Sequence, residues 1–147
     1  MKRKCSIERI KGFLADESEP IRQQLERALS LVDGCKLVGA ASGGSDAIEL
    51  IRSLQPDVVV LDTSTSHREG IRVLREIRKE VPVAQIIIFT ADPSVVLQEV
   101  CLEAGADFYL HKTQIQDLID ILSVQLGEKY ALIATDIAPA FLSCKKG

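Results

Sequence analysis

The 147-residue sequence predicts an α/β domain, a parallel sheet covered on both faces by helices. Three observations carry that expectation. Short β-rich runs alternate along the chain with longer segments whose apolar residues recur at three- and four-residue spacing. Two of the runs, Val58-Val59-Val60-Leu61 and Ile86-Ile87-Ile88-Phe89, are continuously apolar between polar ends, as strands buried on both faces should be. The composition, 46% hydrophobic and 27% charged, suits a chain with one packed core. Strands that alternate with helices pair in parallel through right-handed crossovers, which gives a three-layer, doubly wound α/β/α sandwich.

Each element has its own signal. Lys11-Gly12-Phe13-Leu14-Ala15 reads as the first strand, ending in Asp16-Glu17. Ser18 is placed to cap the first helix, with Pro20 early, where its missing N–H costs least. Ile21, Leu25, Ala28 and Leu29 set the helical spacing, and Asp33-Gly34 is expected to close it. Lys36 to Ala40 is the second strand, followed by the polar loop Ser42-Gly43-Gly44-Ser45. Ala47, Ile48, Ile51 and Leu54 mark the second helix, which must stop before Pro56. Asp57 to Asp62 is the third strand, and Ile71, Leu74, Ile77 and Val81 mark the third helix. Ile86 to Thr90 is the fourth strand. Val95, Val96, Val100 and Cys101 mark the fourth helix, ended by Ala104-Gly105. Asp107 to Leu110 is the fifth strand, and Ile115, Leu118, Ile119 and Leu122 mark the fifth helix.

The composition also excludes function classes. With 18 basic and 21 acidic residues the chain carries a net charge of −3, without the electrostatic footprint of a nucleic-acid-binding domain. No apolar stretch approaches the ~20 residues of a membrane helix. Lys2, Arg3 and Lys4 resemble the start of a signal peptide, but Glu8, Arg9 and Lys11 interrupt the apolar region such a peptide needs. Cys5, Cys35, Cys101 and Cys144 show neither zinc spacing nor a disulfide framework. Cys35 and Cys101 read as small core hydrophobes, Cys5 and Cys144 as tail residues, and the expected compartment is the reducing cytoplasm.

In an open parallel sheet, ligands bind beyond the carboxyl ends of the strands. Here the first strand ends in Asp16-Glu17, the third in Asp62 and the fourth in Thr90, and the fifth leads through His111 to Lys112. If the first and third strands are neighbours, the carboxylates meet and raise one another's pKa. A bound cation relieves that repulsion, and hard oxygen ligands favour Mg²⁺ with retained waters. With Lys112 adding positive charge, the edge suits a dianion such as a phosphoryl group.

These residues, within Phe13-Leu14-Ala15-Asp16-Glu17, Pro56 to Asp62, Ile88-Phe89-Thr90-Ala91 and Ala104 to Lys112, resemble the receiver domain of two-component response regulators. The resemblance runs over about residues 9–128, with 1–8 as an N-terminal extension and 129–147 as a tail without an output domain. It implies a flavodoxin-like fold with a five-stranded parallel sheet of order 2-1-3-4-5. It further implies that Asp62 is the phosphoacceptor and that Asp16, Glu17, Asp62 and the main-chain carbonyl of Ser64 hold Mg²⁺. Thr90 corresponds to the switch hydroxyl, Lys112 to the lysine that pairs with phosphoryl oxygens, and Tyr109 to the aromatic switch. The implied partners are a sensor histidine kinase or phosphotransfer protein upstream, and an effector protein or a missing output domain downstream. The surface of the fourth helix, fifth strand and fifth helix would switch between them, and a homodimer through it is compatible with the resemblance.

The chain departs from the family pattern after Asp62. Thr65-Ser66 stands where a Met-Pro pair is common, although Gly70 is in place, and Thr113 follows Lys112 where Pro is frequent. The altered loop keeps an alternative open, a degenerate receiver that acts as a phosphorylation-independent interaction module. A flavin-binding relative of the fold would need a Ser/Thr/Gly-rich loop after the first strand, where this chain has Asp16-Glu17-Ser18-Glu19. Ser42 to Ser45 lacks the ending of a P-loop and reads as an ordinary turn. His67 and His111 are not arranged as a metal pair. In the tail, Ile133, Ile137 and Phe141 are spaced four apart and would make a short amphipathic turn or a loosely docked terminus.

Overall fold

A computed structural model describes residues 10–63 and 67–124. Five parallel strands form one sheet, β1 (Ile10–Ala15), β2 (Cys35–Ala41), β3 (Val58–Leu61), β4 (Gln85–Thr90) and β5 (Phe108–His111), in the order β2-β1-β3-β4-β5. Helices α1 (Glu19–Ser30), α2 (Gly44–Leu54), α3 (His67–Glu80) and α4 (Val95–Ala104) connect them, and α5 occupies residues 115–124. The expected architecture and strand order are those observed.

The apolar runs are strands because both of their faces are covered. Phe13, Val59, Leu61, Ile86 and Ile88 pack with Ile51, Leu74, Ile77, Leu97 and Cys101 beneath α2, α3 and α4. The alternate positions Leu14, Val58, Val60, Ile87 and Phe89 pack with Leu25, Leu29, Leu118 and Leu122 beneath α1 and α5. Successive strand residues point to opposite faces, so an unbroken Val or Ile run serves two cores at once. At roughly 1.5–3 kcal/mol for each fully buried aliphatic side chain, these two layers are the main source of stability.

The helix ends follow local chemistry. Ser18 Oγ accepts the Ile21 amide at 3.4 Å to cap α1, and Ser94 Oγ accepts that of Leu97 at 3.1 Å to cap α4. Helix α1 stops at Ser30, ahead of the expected Asp33-Gly34, because its last turn tightens: the amides of Leu31 and Val32 bond back only three residues, to Ala28 and Leu29. Helix α2 ends at Leu54, and Gln55, held off the right-handed region by Pro56, takes a left-handed conformation at φ 48°.

Helix α4 differs from its expected face. Of Val95, Val96, Val100 and Cys101 only Cys101 is buried, and Leu97 and Ala104 complete the buried stripe. The residues one position off that stripe point outward, since each step along a helix turns a side chain by about 100°. Cys101 is a core residue as expected, its thiol pushed up to about 11 by burial. Cys35 is only partly buried, on edge strand β2, which has a neighbour on one side alone. Cys5, Cys144 and the tail lie outside the described residues. No helix among the described residues is long and apolar enough to cross a membrane.

Candidate phosphoacceptor site

Strand register assembles the site. Ala15 pairs with Leu61, and the ladder runs on past both strands: the Asp62 amide donates to the Ala15 carbonyl at 2.9 Å and the Asp16 amide to that of Ala41 at 3.1 Å. Asp16 and Asp62 therefore project from the same edge of adjacent strands, about 4.8 Å apart. On the other side Thr90 pairs with His111, and the Lys112 amide donates to the Thr90 carbonyl at 2.9 Å. Lys112 thus leaves β5 on the edge where β1 and β3 end.

Its side chain reaches across. Lys112 Nζ lies 3.1 Å from Asp16 Oδ2 and 3.2 Å from Asp62 Oδ2, with side-chain exposures of 18%, 3% and 6% for Lys112, Asp16 and Asp62. The contact with Asp62 is a hydrogen bond. That with Asp16 is a close ion pair without aligned hydrogen-bond geometry, so the buried Asp16 Oδ2 receives no hydrogen bond. Asp16 Oδ1 accepts the Ser18 amide at 2.9 Å, and Arg22 donates to the main-chain carbonyl of Asp16. Burial pushes the Asp16 carboxyl above its ordinary range; the Ser18 hydrogen bond opposes this, the charge of Asp62 adds to it, and Lys112 only partly offsets it. Burial alone would lower the Lys112 ammonium, but its contacts with the two carboxylates outweigh that and raise it.

A cleft of about 250 Å³ opens beside Asp62. Glu17, exposed at the end of β1, lines it together with Ser42, Gly43 and Gly44 at the start of α2, and Thr63, Glu69 and Gly70. Gly43 and Gly44 take φ values of 130° and 68°, and a Cβ at either would meet open space, so the Ser42–Ser45 turn is a glycine turn on the cleft wall with no side-chain cap. Gly70 is required sterically: a Cβ there would stand 2.8 Å from Thr63 Cβ. Thr63 is itself buried, and its Oγ1 has no hydrogen-bond partner.

Among the described residues no group of three or more His, Cys, Asp or Glu side chains converges on a metal position. The donor set is two buried carboxylates, one with an oxygen that lacks a hydrogen bond, beside an exposed glutamate. That set fits Mg²⁺, which binds through one or two carboxylates and keeps several waters. Ser64 lies outside the described residues, as do Thr65 and Ser66.

Thr90 is fully buried, and its Oγ1 accepts the Asp92 amide at 3.2 Å. Tyr109 is half-buried against the α2–α4 core, with its hydroxyl bonded to the Asp92 main-chain carbonyl and its phenol pushed up to about 12, first by burial and then by nearby Asp92. His111 is turned away from the carboxylates, its ring nitrogens 2.9 Å from Thr113 Oγ1 and 3.1 Å from the Ala91 carbonyl. Sequence reasoning passed over Asp92, which gathers Thr90, Tyr109 and the Ser94 amide, 2.9 Å from its Oδ1. The signal was available in Asp92-Pro93-Ser94, a turn-and-cap sequence.

Comparison with known proteins agrees with this geometry. The family model for the response regulator receiver domain matches residues 13–123. The response regulator UvrY of Escherichia coli (strain K12) is 35% identical over 131 residues, which cover 88% of this chain and 59% of UvrY. GacA of Pseudomonas aeruginosa is 27% identical over 123 residues, covering 82% of this chain and 58% of GacA. The chain thus spans about three-fifths of these curated relatives. Among solved structures, the NarL signal receiver domain of Mycobacterium tuberculosis superposes with a TM-score of 0.68 at 29% identity, covering 78% of this chain and 97% of that one. A LuxR-family two-component response regulator from Aurantimonas sp. SI85-9A1 gives 0.69 at 26%, covering 86% and 99%. A chain that matches the family model over most of its length, with Asp16, Asp62 and Lys112 gathered at the carboxyl edge of a 2-1-3-4-5 sheet, belongs to the response regulator receiver domain family.

Proposed function

We propose that the chain is a working receiver that takes a phosphoryl group onto Asp62 from the phosphohistidine of a partner kinase or phosphotransfer protein in the cytoplasm. The observation that carries the reading is the Lys112 ammonium held between the carboxylates of Asp16 and Asp62, with Asp62 itself lining an open cleft. A carboxylate oxygen of Asp62 attacks phosphorus, the phosphorus–nitrogen bond breaks as the new oxygen–phosphorus bond forms, and the imidazole leaves with a proton. Lys112 is already in reach of Asp62 and moves its positive charge onto the arriving phosphoryl oxygens, where charge neutralisation does most of the work of phosphoryl transfer. Asp16, Asp62 and Glu17, with the Ser64 carbonyl, are the residues that would hold Mg²⁺, which supplies further neutralisation of phosphoryl charge when bound.

Thr90 and Tyr109 supply the switch. Both are tied to Asp92, so a Thr90 hydroxyl drawn toward the phosphoryl group gives up the Asp92 amide and loosens the loop that carries the start of α4. A downstream effector protein or an output domain would read the resulting change.

Incubation with a small acyl-phosphate donor, with and without Mg²⁺, tests the reading by intact mass against Asp62→Asn. A Mg²⁺-dependent gain of one phosphoryl group, absent in the variant, is the expected result. No gain in folded protein with Mg²⁺ present would sink it.

A further inference from the structure

Beyond the phosphoacceptor cleft, an open groove of about 660 Å³ lies between α3 and α4. Its α4 side is apolar: Val96 and Val100, four apart and 70% and 36% exposed, stand above the buried Leu97. Its α3 side is cationic. Arg68, Arg72 and Arg75 line it at the i, i+4, i+7 spacing of one helix face, spanning about 10 Å along the axis. The acid lining it is Glu69, which is engaged by Arg72 at 2.7 Å. Glu99 and Glu103 of α4 are exposed but do not line the groove.

On a chain of net charge −3, a locally positive wall facing exposed valines is a composition that solvation does not explain. Ordinary core packing does not explain it either, since Val96 lies off the buried stripe of its helix. Val95 and Leu102, seven apart and both exposed, mark a different stripe of α4 and do not line the groove.

We propose that this groove docks an acidic amphipathic helix of a partner protein. Its aliphatic side chains would sit on Val96 and Val100, and carboxylates seven residues apart would pair with Arg68 and Arg75, Arg72 being already engaged by Glu69. The apolar floor favours such a helix over a nucleic acid or a lipid headgroup, for which the three arginines alone would suffice. The proposal does not depend on phosphorylation of Asp62.

The test is selection of displayed random peptides of about 16 residues on the full chain, a length that gives about four helical turns. Selected peptides are then titrated against the native chain, Val96→Asp, Arg75→Glu, and the milder Val96→Ser and Arg75→Gln. Both substituted positions, Val96 and Arg75, carry exposed side chains, and thermal unfolding checks that each of the four variants folds. Enriched peptides should combine acidic and aliphatic residues at helical spacing, and lose about tenfold or more in affinity on Val96→Asp and on Arg75→Glu, with smaller losses on the milder pair. Salt should weaken them. Failure to enrich any peptide overturns the proposal, as does equal binding to native chain and variants. So does a single-stranded DNA or an anionic phospholipid vesicle that binds with the same dependence on Arg75 and none on Val96, which would mark a plain anion stripe.

Discussion

The hydroxyl of Tyr109 donates a 2.7 Å hydrogen bond to the main-chain carbonyl of Asp92, tying β5 to the loop between β4 and α4. Tyr109→Phe keeps the ring in its half-buried place and removes that tie. We expect a loss of about 1 kcal/mol in denaturant unfolding, the usual net worth of one such bond. Phosphoryl uptake from a small donor should change little, because the tyrosine does not touch Asp62. An effect on uptake as large as that of Lys112→Met would refute this division of roles.

Asp16 opposes folding near neutral pH. Its carboxyl titrates above 3.8 in the folded chain, so the folded state holds more protons than the unfolded one between those two values. Its contribution is therefore most favourable below pH 3.8 and is lost as pH rises through the folded value. Asp16→Asn, whose amide oxygen still accepts the Ser18 amide, should stabilise the chain at pH 7 by about 1 kcal/mol, or about 4 °C in Tm. The gain should vanish on acidification toward pH 4. Mg²⁺ should reverse the order: at ten times its Kd one ion adds about 1.4 kcal/mol to the native chain, and Asp16→Asn should forfeit that gain. Thermal unfolding across pH, with and without Mg²⁺, measures all three effects. A variant less stable than the native chain at pH 7 without metal would contradict them.

Gly70→Ala places a methyl 2.8 Å from Thr63 Cβ and 3.0 Å from its Cγ2. Thr63 is buried next to Asp62, so the strain should pass straight to Asp62. Overpacking of this kind costs about 1–3 kcal/mol. We also expect slower uptake of a phosphoryl group, whereas Gly44→Ala, where open space awaits the methyl, should cost only its left-handed backbone strain. Unfolding curves and uptake rates of the two variants, compared side by side, decide the matter.

Arg78 is a polar anchor for the turns that follow α3 and α4. Its guanidinium donates to the carbonyls of Val81, Pro82, Ala84 and Gly105, and pairs with Asp107 at 2.7 Å. Arg78→Met should destabilise the fold by about 2–4 kcal/mol, since several part-buried carbonyls lose their donor together. Arg78→Lys should recover little, because a point charge cannot reproduce a planar fork. Urea unfolding of both variants checks this, and a near-native Arg78→Lys would show that charge alone sufficed.

The sequence made the site's ingredients visible because parallel sheets put function at strand ends. Once Val58 to Leu61 and Ile86 to Phe89 are read as buried strands, Asp62 and Thr90 are placed by counting. Their gathering with Asp16 and Lys112 follows from register, which the structure supplies. Arg78 was not legible, since one arginine among five basic residues on α3 carries no mark of the carbonyls it will meet. Nor was the contact of Gly70 with Thr63, which depends on how closely α3 approaches β3. Helix α4 shows a sharper limit. Its apolar residues run nearly all round, so periodicity signals a helix without telling which of Leu97, Val96 and Val95 the sheet will cover.

The Asp16–Lys112–Asp62 cluster ties together segments that lie far apart in the chain. Lys112 and Asp62 are 50 residues apart, and Asp16 lies near the other end of the described chain. Closing such distant contacts costs chain entropy that nearby residues cannot repay, so they form late on the route to the native state. Between Asp62 and Lys112 stand α3, β4, α4 and β5, and between Asp16 and Asp62 stand α1, β2, α2 and β3, so the cluster closes over most of the described chain. A nascent chain that has emerged only as far as β4 holds both acids without their counter-charge. The ion cluster is therefore complete only once β5 has joined the sheet.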